Sequence, residues 1–402
     1  MTERPPQTTP SSRRTLALFA YGFRPFFWAA GLFAPLAVIA WLWVYTIGAL
    51  PLHDLPPQLW HGHEMLYGFV GAAIAGFLLT AVPSWTEARG FAGVPLVVLT
   101  AVWVAGRLAF AATSILPFPV VAACELAFLP GLAILIAPPL LRARNRNTRL
   151  LLVLTGIWVT DLVFVTAIAR GDVLLARGTL LVAIDIVLLL ITIIGGRIIP
   201  AFTATALRAR GVAADMRASP WVDAIVIGAM VGVALADAFA PWGIVAGGTA
   251  ALAAVAQGWR FAGWRSLRTG GQPLVWSLHL AYAWLPLGLA LKAIYLLTGA
   301  AWSAYWLHAL TIGAASSMIL GVMSRAALGH TGRALLASRP VTIAYVLLCL
   351  AALVRVFAPS LVTVDYRLTV MLAGTLWVAA FGLFMIVYTP ILTRPRIDGR
   401  PG

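Results

Sequence analysis

Trp60-His61-Gly62-His63-Glu64 leads directly into the apolar run 65–82, so two imidazoles and a carboxylate stand at the mouth of a segment long enough to cross a bilayer. A hydrocarbon core about 30 Å thick is spanned by about 20 helical residues. Titratable side chains at that depth are costly to bury and mark functional positions by default, and neutral imidazole readily binds iron, copper and zinc. At 3.6 residues per turn, His61 and His63 project roughly 200° apart. If both bind metal, they serve two centres on opposite faces of one helix.

The rest of the chain has the same character. Of its 402 residues, 61% are hydrophobic and only 10% charged, with a mean hydropathy of +0.94, whereas soluble domains carry about 25% charged residues. The fold class expected is all-α, a polytopic membrane helix bundle of about twelve transmembrane helices. Apolar runs place them at 26–48, 64–83, 91–112, 118–140, 150–169, 174–199, 220–240, 241–260, 274–297, 302–324, 340–358 and 367–390. Residues 1–25 read as a disordered cytoplasmic tail, 26–390 as one helix-bundle domain and 391–402 as a second cytoplasmic tail.

The formal net charge of +15 is not a nucleic-acid footprint, because the arginines sit in short loops between apolar runs. Most of the 28 basic residues fall on one side of the twelve-span frame, together with both ends of the chain. By the positive-inside rule that side is cytoplasmic, and His61 and His63 lie at the outer face. Cys124 and Cys349 sit inside spans as small core residues. Most of the sixteen tryptophans are expected in interfacial belts. No GxGxxG, P-loop, HExxH or nucleophile-elbow pattern occurs in a fitting context, which removes support for nucleotide-driven and soluble-hydrolase chemistry.

An internal repeat runs through the frame. Aligning His63 with His308 also aligns Gly68 with Gly313, Ile74 with Ile319 and Gly76 with Gly321, in the second and tenth spans. The sixth span ends Pro200-Ala201-Phe202-Thr203 where the second ends Pro83-Ser84-Trp85-Thr86, so a four-helix unit used three times is a possible pseudo-repeat. Small residues that permit close packing are common in membrane helices and give such matches by chance as well.

Six histidines divide into two groups. His61, His63 and His308 fall in the outer third of the membrane with His53 in the preceding loop, while His279 and His330 lie toward the inner face. Three imidazoles at one depth suit a heme iron with a copper, or a single copper; they equally suit an aqueous vestibule or backbone hydrogen bonds. Arg107 and Glu125 share a depth on antiparallel neighbours and read as a structural ion pair ahead of a proton relay. Asp161 and Asp185 lie near mid-membrane, where they either pass protons or hydrogen-bond Thr160 and Thr192. Glu64 belongs with these polar groups. Lys292 either snorkels outward or faces the outer histidines, as a heme propionate would require. Gly195-Gly196-Arg197-Ile198-Ile199-Pro200 and Leu328-Gly329-His330-Thr331-Gly332-Arg333 are compact arginine-bearing stretches. Either grips an anion such as a heme propionate or a lipid headgroup, or is an ordinary helix stop.

Six stretches taken together resemble the NnrS family: Tyr21-Gly22-Phe23-Arg24-Pro25-Phe26-Phe27, Trp60-His61-Gly62-His63-Glu64-Met65, Gly76-Phe77-Leu78-Leu79-Thr80-Ala81-Val82-Pro83, Gly195-Gly196-Arg197-Ile198-Ile199-Pro200, His308-Ala309-Leu310-Thr311-Ile312-Gly313 and Leu328-Gly329-His330-Thr331-Gly332-Arg333. They run in order over nearly the whole chain. The resemblance implies a bacterial inner-membrane protein containing heme, expected to be b-type, and copper, and acting in the response to nitric oxide and nitrosative stress. On that reading His61, His63, His308, His279 and His330 are the metal-ligating candidates, and Arg24, Arg197, Arg325, Arg333 and Lys292 the cofactor-binding ones. Nitric oxide is the small-molecule ligand and the lipid bilayer the surroundings. The resemblance leaves open the electron donor and whether nitric oxide is reduced, sequestered or kept from other metalloproteins. Histidines on the second and tenth spans are similar to those of heme-copper oxidases, but the sixth span has none for a copper site of that type. The alternative class is a proton-coupled or small-molecule transporter without heme, for which the midplane aspartates and Lys292 would serve.

Overall fold

The structure is a computed structural model that describes residues 16–48, 55–212, 219–361 and 365–399; His53 lies outside them, as does the tail up to residue 15. Twelve long helical rods make up the chain: α1 Phe23–Ile47, α2 Pro57–Thr86, α3 Val94–Ala111, α4 Phe118–Arg142, α5 Arg146–Ala169, α6 Val173–Arg208, α7 Pro220–Phe239, α8 Ile244–Ala262, α9 Pro273–Thr298, α10 Ala301–His330, α11 Arg339–Ser360 and α12 Tyr366–Thr393. Eleven are long and apolar enough to cross a membrane, and the protein is an all-α polytopic membrane bundle. The exception, α8, carries Gln257 and Arg260 near its end, and both are buried against neighbouring helices. Arg260 therefore belongs to the interior of the bundle and not to the loop after α8.

The bundle is organised around α2, α6 and α10, which touch one another along the axis while the other helices surround them. Their most apolar windows are 83, 72 and 61% buried, against 28 to 50% in the other spans, so these three are the centre. They occupy the second place in each successive set of four helices. α1 and α12 start and finish at one end, where Arg24 on α1 donates from Nη1 to the carbonyls of Leu392 (2.9 Å) and Arg394 (2.7 Å). This is the terminal end of the bundle; α2 and α10 begin at the opposite, distal end.

The fold also takes in parts of both expected tails. Phe19 accepts a backbone hydrogen bond from Gly93, and Phe23 and Arg24 are fully buried. After α12, Arg396 donates to the carbonyl of His330 at 2.8 Å.

Two helices change pitch immediately after the aligned histidines. A π-helical segment covers Glu64–Val70 in α2 and Ala309–Ser316 in α10, so each begins at the residue next after His63 or His308. Such segments cost hydrogen-bond quality and cluster at functional sites. Their carbonyls find side-chain donors: Trp103 Nε1 reaches Gly68 O at 3.1 Å, and Ser316 Oγ reaches Thr311 O at 2.8 Å. Trp377 similarly donates to Ala34 O at 3.1 Å, so several tryptophans staple helices together inside the bundle instead of belonging to a belt.

The expected stop at Pro200 is absent, because α6 continues to Arg208. The Gly195-Gly196 pair explains the sequence there without a ligand. A Cβ on Gly196 would lie 2.5 Å from Nη2 of Arg260, so glycine is required where that guanidinium crosses the helix. Arg260 is held by Asp223 at 3.0 Å and by Tyr282 Oη at 2.7 Å, and Gln257 donates to Thr192 Oγ1 at 2.9 Å. Neighbouring polar groups make an interior proline tolerable in a membrane helix. Gly332, after α10, has φ of +73° and lies against the Asp398 carboxylate, where a Cβ would approach to 2.8 Å.

Candidate cofactor site

A cavity with about 1010 Å³ of space free of protein atoms, part of it open to the surroundings, lies at the distal end between α1, α2, α6, α10, α11 and α12. His61 and His308 both line it, with Arg355 of α11; most of the remaining wall is aliphatic or aromatic. The His61 ring stacks on Trp41 with centroids 4.6 Å apart, and its Nδ1 is buried with no hydrogen-bond partner. Arg355 donates to Tyr366 Oη at 3.0 Å, lies over the Tyr305 ring at 5.0 Å, and has Nη1 unpartnered. Two imidazoles and a guanidinium with a free donor therefore converge on an otherwise apolar space.

His63 is not in this cavity. The alignment of His63 with His308 leads to the expectation that the two ligate one outer metal centre; instead His63 projects from the opposite face of α2 into a fully enclosed polar cluster, because aligned positions on matched helices face different neighbours. Its Nδ1 is 3.2 Å from Glu64 Oε1, while Nε2 is 3.2 Å from Asp161 Oδ1 and 3.6 Å from Glu125 Oε1. Arg107 Nη1 pairs with Glu64 at 2.6 Å and Nη2 with Glu125. Phe110 and Phe164 stack on the imidazole at 3.9 and 4.8 Å. Tyr67 donates to Thr160 Oγ1 at 3.1 Å, and Thr160 to Ile157 O, so Thr160 does not serve Asp161. One ligand atom each from His63, Glu125 and Asp161 lies within 4.8 Å of the others, a buried His/Glu/Asp group able to hold a metal ion.

A second enclosed cluster joins Asp185 of α6, Asp237 of α7 and Lys292 of α9. Lys292 Nζ pairs with Asp237 Oδ2, both side chains being fully buried, and lies 5.0 Å from the centroid of the Trp306 ring. It neither snorkels nor lines the histidine cavity. Asp185 faces Asp237, with neither of its oxygens accepting a hydrogen bond from any described residue.

The remaining candidates separate. His279 has both ring nitrogens engaged, Nε2 with Thr203 Oγ1 at 2.7 Å and Nδ1 with Ser266 Oγ at 2.8 Å, so neither is available to a metal without breaking a hydrogen bond. The Nη1 of Arg24 is committed to the end of α12, and that of Arg197 donates to Asn147 Oδ1 at 2.6 Å. Arg333 comes after α10 and is not on the wall of the histidine cavity. Arg325 and His330 share a different cavity at the terminal end, Arg325 lying 4.0 Å over Phe202 and His330 stacking on Tyr21 at 5.9 Å.

Sequence reasoning gave no role to Arg355, Trp41, Tyr305 or Tyr366. A lone arginine within the apolar run 340–358 was a signal; the aromatic residues around it come from three other helices and gave none.

No curated protein matches the chain. The family model described as NnrS protein matches residues 17–396, covering all twelve helices and both histidine-bearing cavities. The chain belongs to the NnrS family.

Proposed function

We propose that the protein is a heme protein of the bacterial inner membrane, with both termini cytoplasmic, that binds or processes nitric oxide and protects against nitrosative stress. The observation that carries this reading is the convergence of His61 and His308, from two matched helices, on one apolar cavity. Two features favour a b-type heme there. The partnerless Nδ1 of His61 marks a ring held by stacking instead of hydrogen bonding. The free donor of Arg355 suits a propionate, since guanidinium binds carboxylates bidentately.

One of His61 and His308 would hold the iron, with the other imidazole beside the bound gas; Arg355 would hold the propionates, and the apolar wall would exclude bulk water. When bound, heme iron supplies a centre that binds nitric oxide and exchanges an electron. Trp41 fixes the plane of the His61 ring, and the π-helical segment after His308 sets the direction of that imidazole.

Copper does not fit the His63 group. Copper takes imidazole with sulfur or with oxygen donors, but the one imidazole of this group is already between carboxylates, and those carboxylates are shared with Arg107. The His63 group is therefore not proposed as the copper site. A transporter would rest on Asp185, Asp237 and Lys292, but none of the three lines any of the cavities along the bundle axis.

The test is the absorption spectrum of purified protein normalised to folded material. His61→Ala and His308→Ala should each lose or shift the Soret band, while His63→Ala and His279→Ala should retain it. A Soret band unchanged in both of the first two variants would sink the assignment.

A further inference from the structure

The distal cavity does not stand alone. A second cavity, with about 580 Å³ of space free of protein atoms, lies below it between α1, α2, α6 and α10, and a third of about 770 Å³ reaches the terminal end, part of each being open to the surroundings. Val70 and Val187 belong to the walls of both the distal and the central cavity, so the two adjoin at these side chains. Phe27, Phe77, Ile198 and Val322 are shared in the same way by the central cavity and the terminal one, where Arg325 and His330 stand.

The central cavity is lined by aliphatic side chains, two methionines and two phenylalanines, with no hydrogen-bonding side chain in its wall. Interiors normally pack as densely as organic crystals, and a void at the contact of the three most buried helices forgoes dispersion energy. Water gains nothing there, because an apolar cavity offers it no partners; such cavities stay dry and take up xenon or benzene. Two phenylalanine rings, Phe27 and Phe77, stand at its boundary with the terminal cavity, whose largely apolar wall carries Arg325 and His330.

We propose that the central cavity is a dry binding site for a small apolar gas, which it passes to the distal cavity between Val70 and Val187. A diatomic such as nitric oxide dissolves in the bilayer, is small enough for the space, and needs no hydrogen bond to enter it. Delivery rests on the distal heme reading; uptake of gas by the central cavity does not.

The experiment uses the full-length protein in detergent with two probes. Xenon, monitored by NMR or in pressurised crystals, should occupy the central cavity of the unsubstituted protein, and Ile191→Phe, which fills that space, should abolish the occupancy. Carbon monoxide rebinding to ferrous heme after photolysis should slow about tenfold in Ile191→Phe, whose side chain lines the central cavity and not the distal one, an added barrier of about 1.4 kcal/mol, with the heme spectrum unchanged. Ile191→Ala guards against misfolding of the larger variant and should rebind faster. An absence of xenon from the cavity, or equal rebinding rates in all three proteins, would overturn the proposal. A protein that binds xenon but no heme would defeat the heme reading and leave the gas site standing.

Discussion

At the scale of single residues, the clearest constraint is charge neutrality in places water does not reach. Lys292 supplies one positive charge to two carboxylates, Asp237 in direct contact and Asp185 beside it. Asp237 is in direct contact with that lysine, whereas the oxygens of Asp185 accept no hydrogen bond from a described residue. Asp185→Asn keeps the shape of the side chain and leaves the Lys292–Asp237 pair in place. It should cost less than about 1 kcal/mol, whereas Lys292→Met strands a buried carboxylate and should cost roughly 3–5 kcal/mol. Unfolding in mixed detergent measures both. Equal losses in the two variants would show that Asp185 holds Lys292 as firmly as Asp237 does.

At the scale of elements, the paired π-helical segments decide where the histidines point. A residue removed from a π turn restores α-helical pitch and rotates the N-terminal part of the helix by about 100° relative to the C-terminal part. Deleting Ala314 should therefore turn His308 away from the distal cavity, so the folded protein would lose heme, while a conservative Ala314→Ser change at the same site would keep it. Full heme content after the deletion would show that the π segment does not position the ligand.

The same elements show how much was legible in the sequence. The 200° separation of His61 and His63 comes from helical pitch alone, and the two residues do face opposite sides of α2. Which groups they meet depends on distant helices: Arg355 and Trp41 for one, Asp161 and Glu125 for the other. Pro200 misleads as a stop because the helix is held by Arg260, a contact visible only once α8 is placed against α6. Apolar runs gave the spans because the bilayer acts on each run separately; the cavities depend on how three helices meet, which no single run encodes.

At the scale of the whole molecule, charge and topology give one orientation. The loops after the even-numbered helices gather at the terminal end with Arg89, Arg142, Arg144, Arg208, Arg210, Arg265, Arg268, Arg333 and Arg339, beside Arg394 and Arg396 after α12. The distal loops hold little more than Arg170 between α5 and α6, with Arg177, Arg355 and Arg367 inside helix ends nearby. Retention of arginine-rich loops on the cytoplasmic side orients membrane proteins, so the terminal end should face the cytoplasm and the histidine cavity the periplasm. With Cys124 and Cys349 replaced by serine, a single cysteine introduced as Ala300→Cys in the α9–α10 loop should react with a membrane-impermeant maleimide in intact cells. A cysteine introduced as Arg89→Cys, at an exposed position between α2 and α3, should react only after lysis. The reverse pattern would invert the bundle and place the histidine cavity on the cytoplasmic side, so that nitric oxide arriving from outside would meet the Arg325 and His330 cavity before the central one.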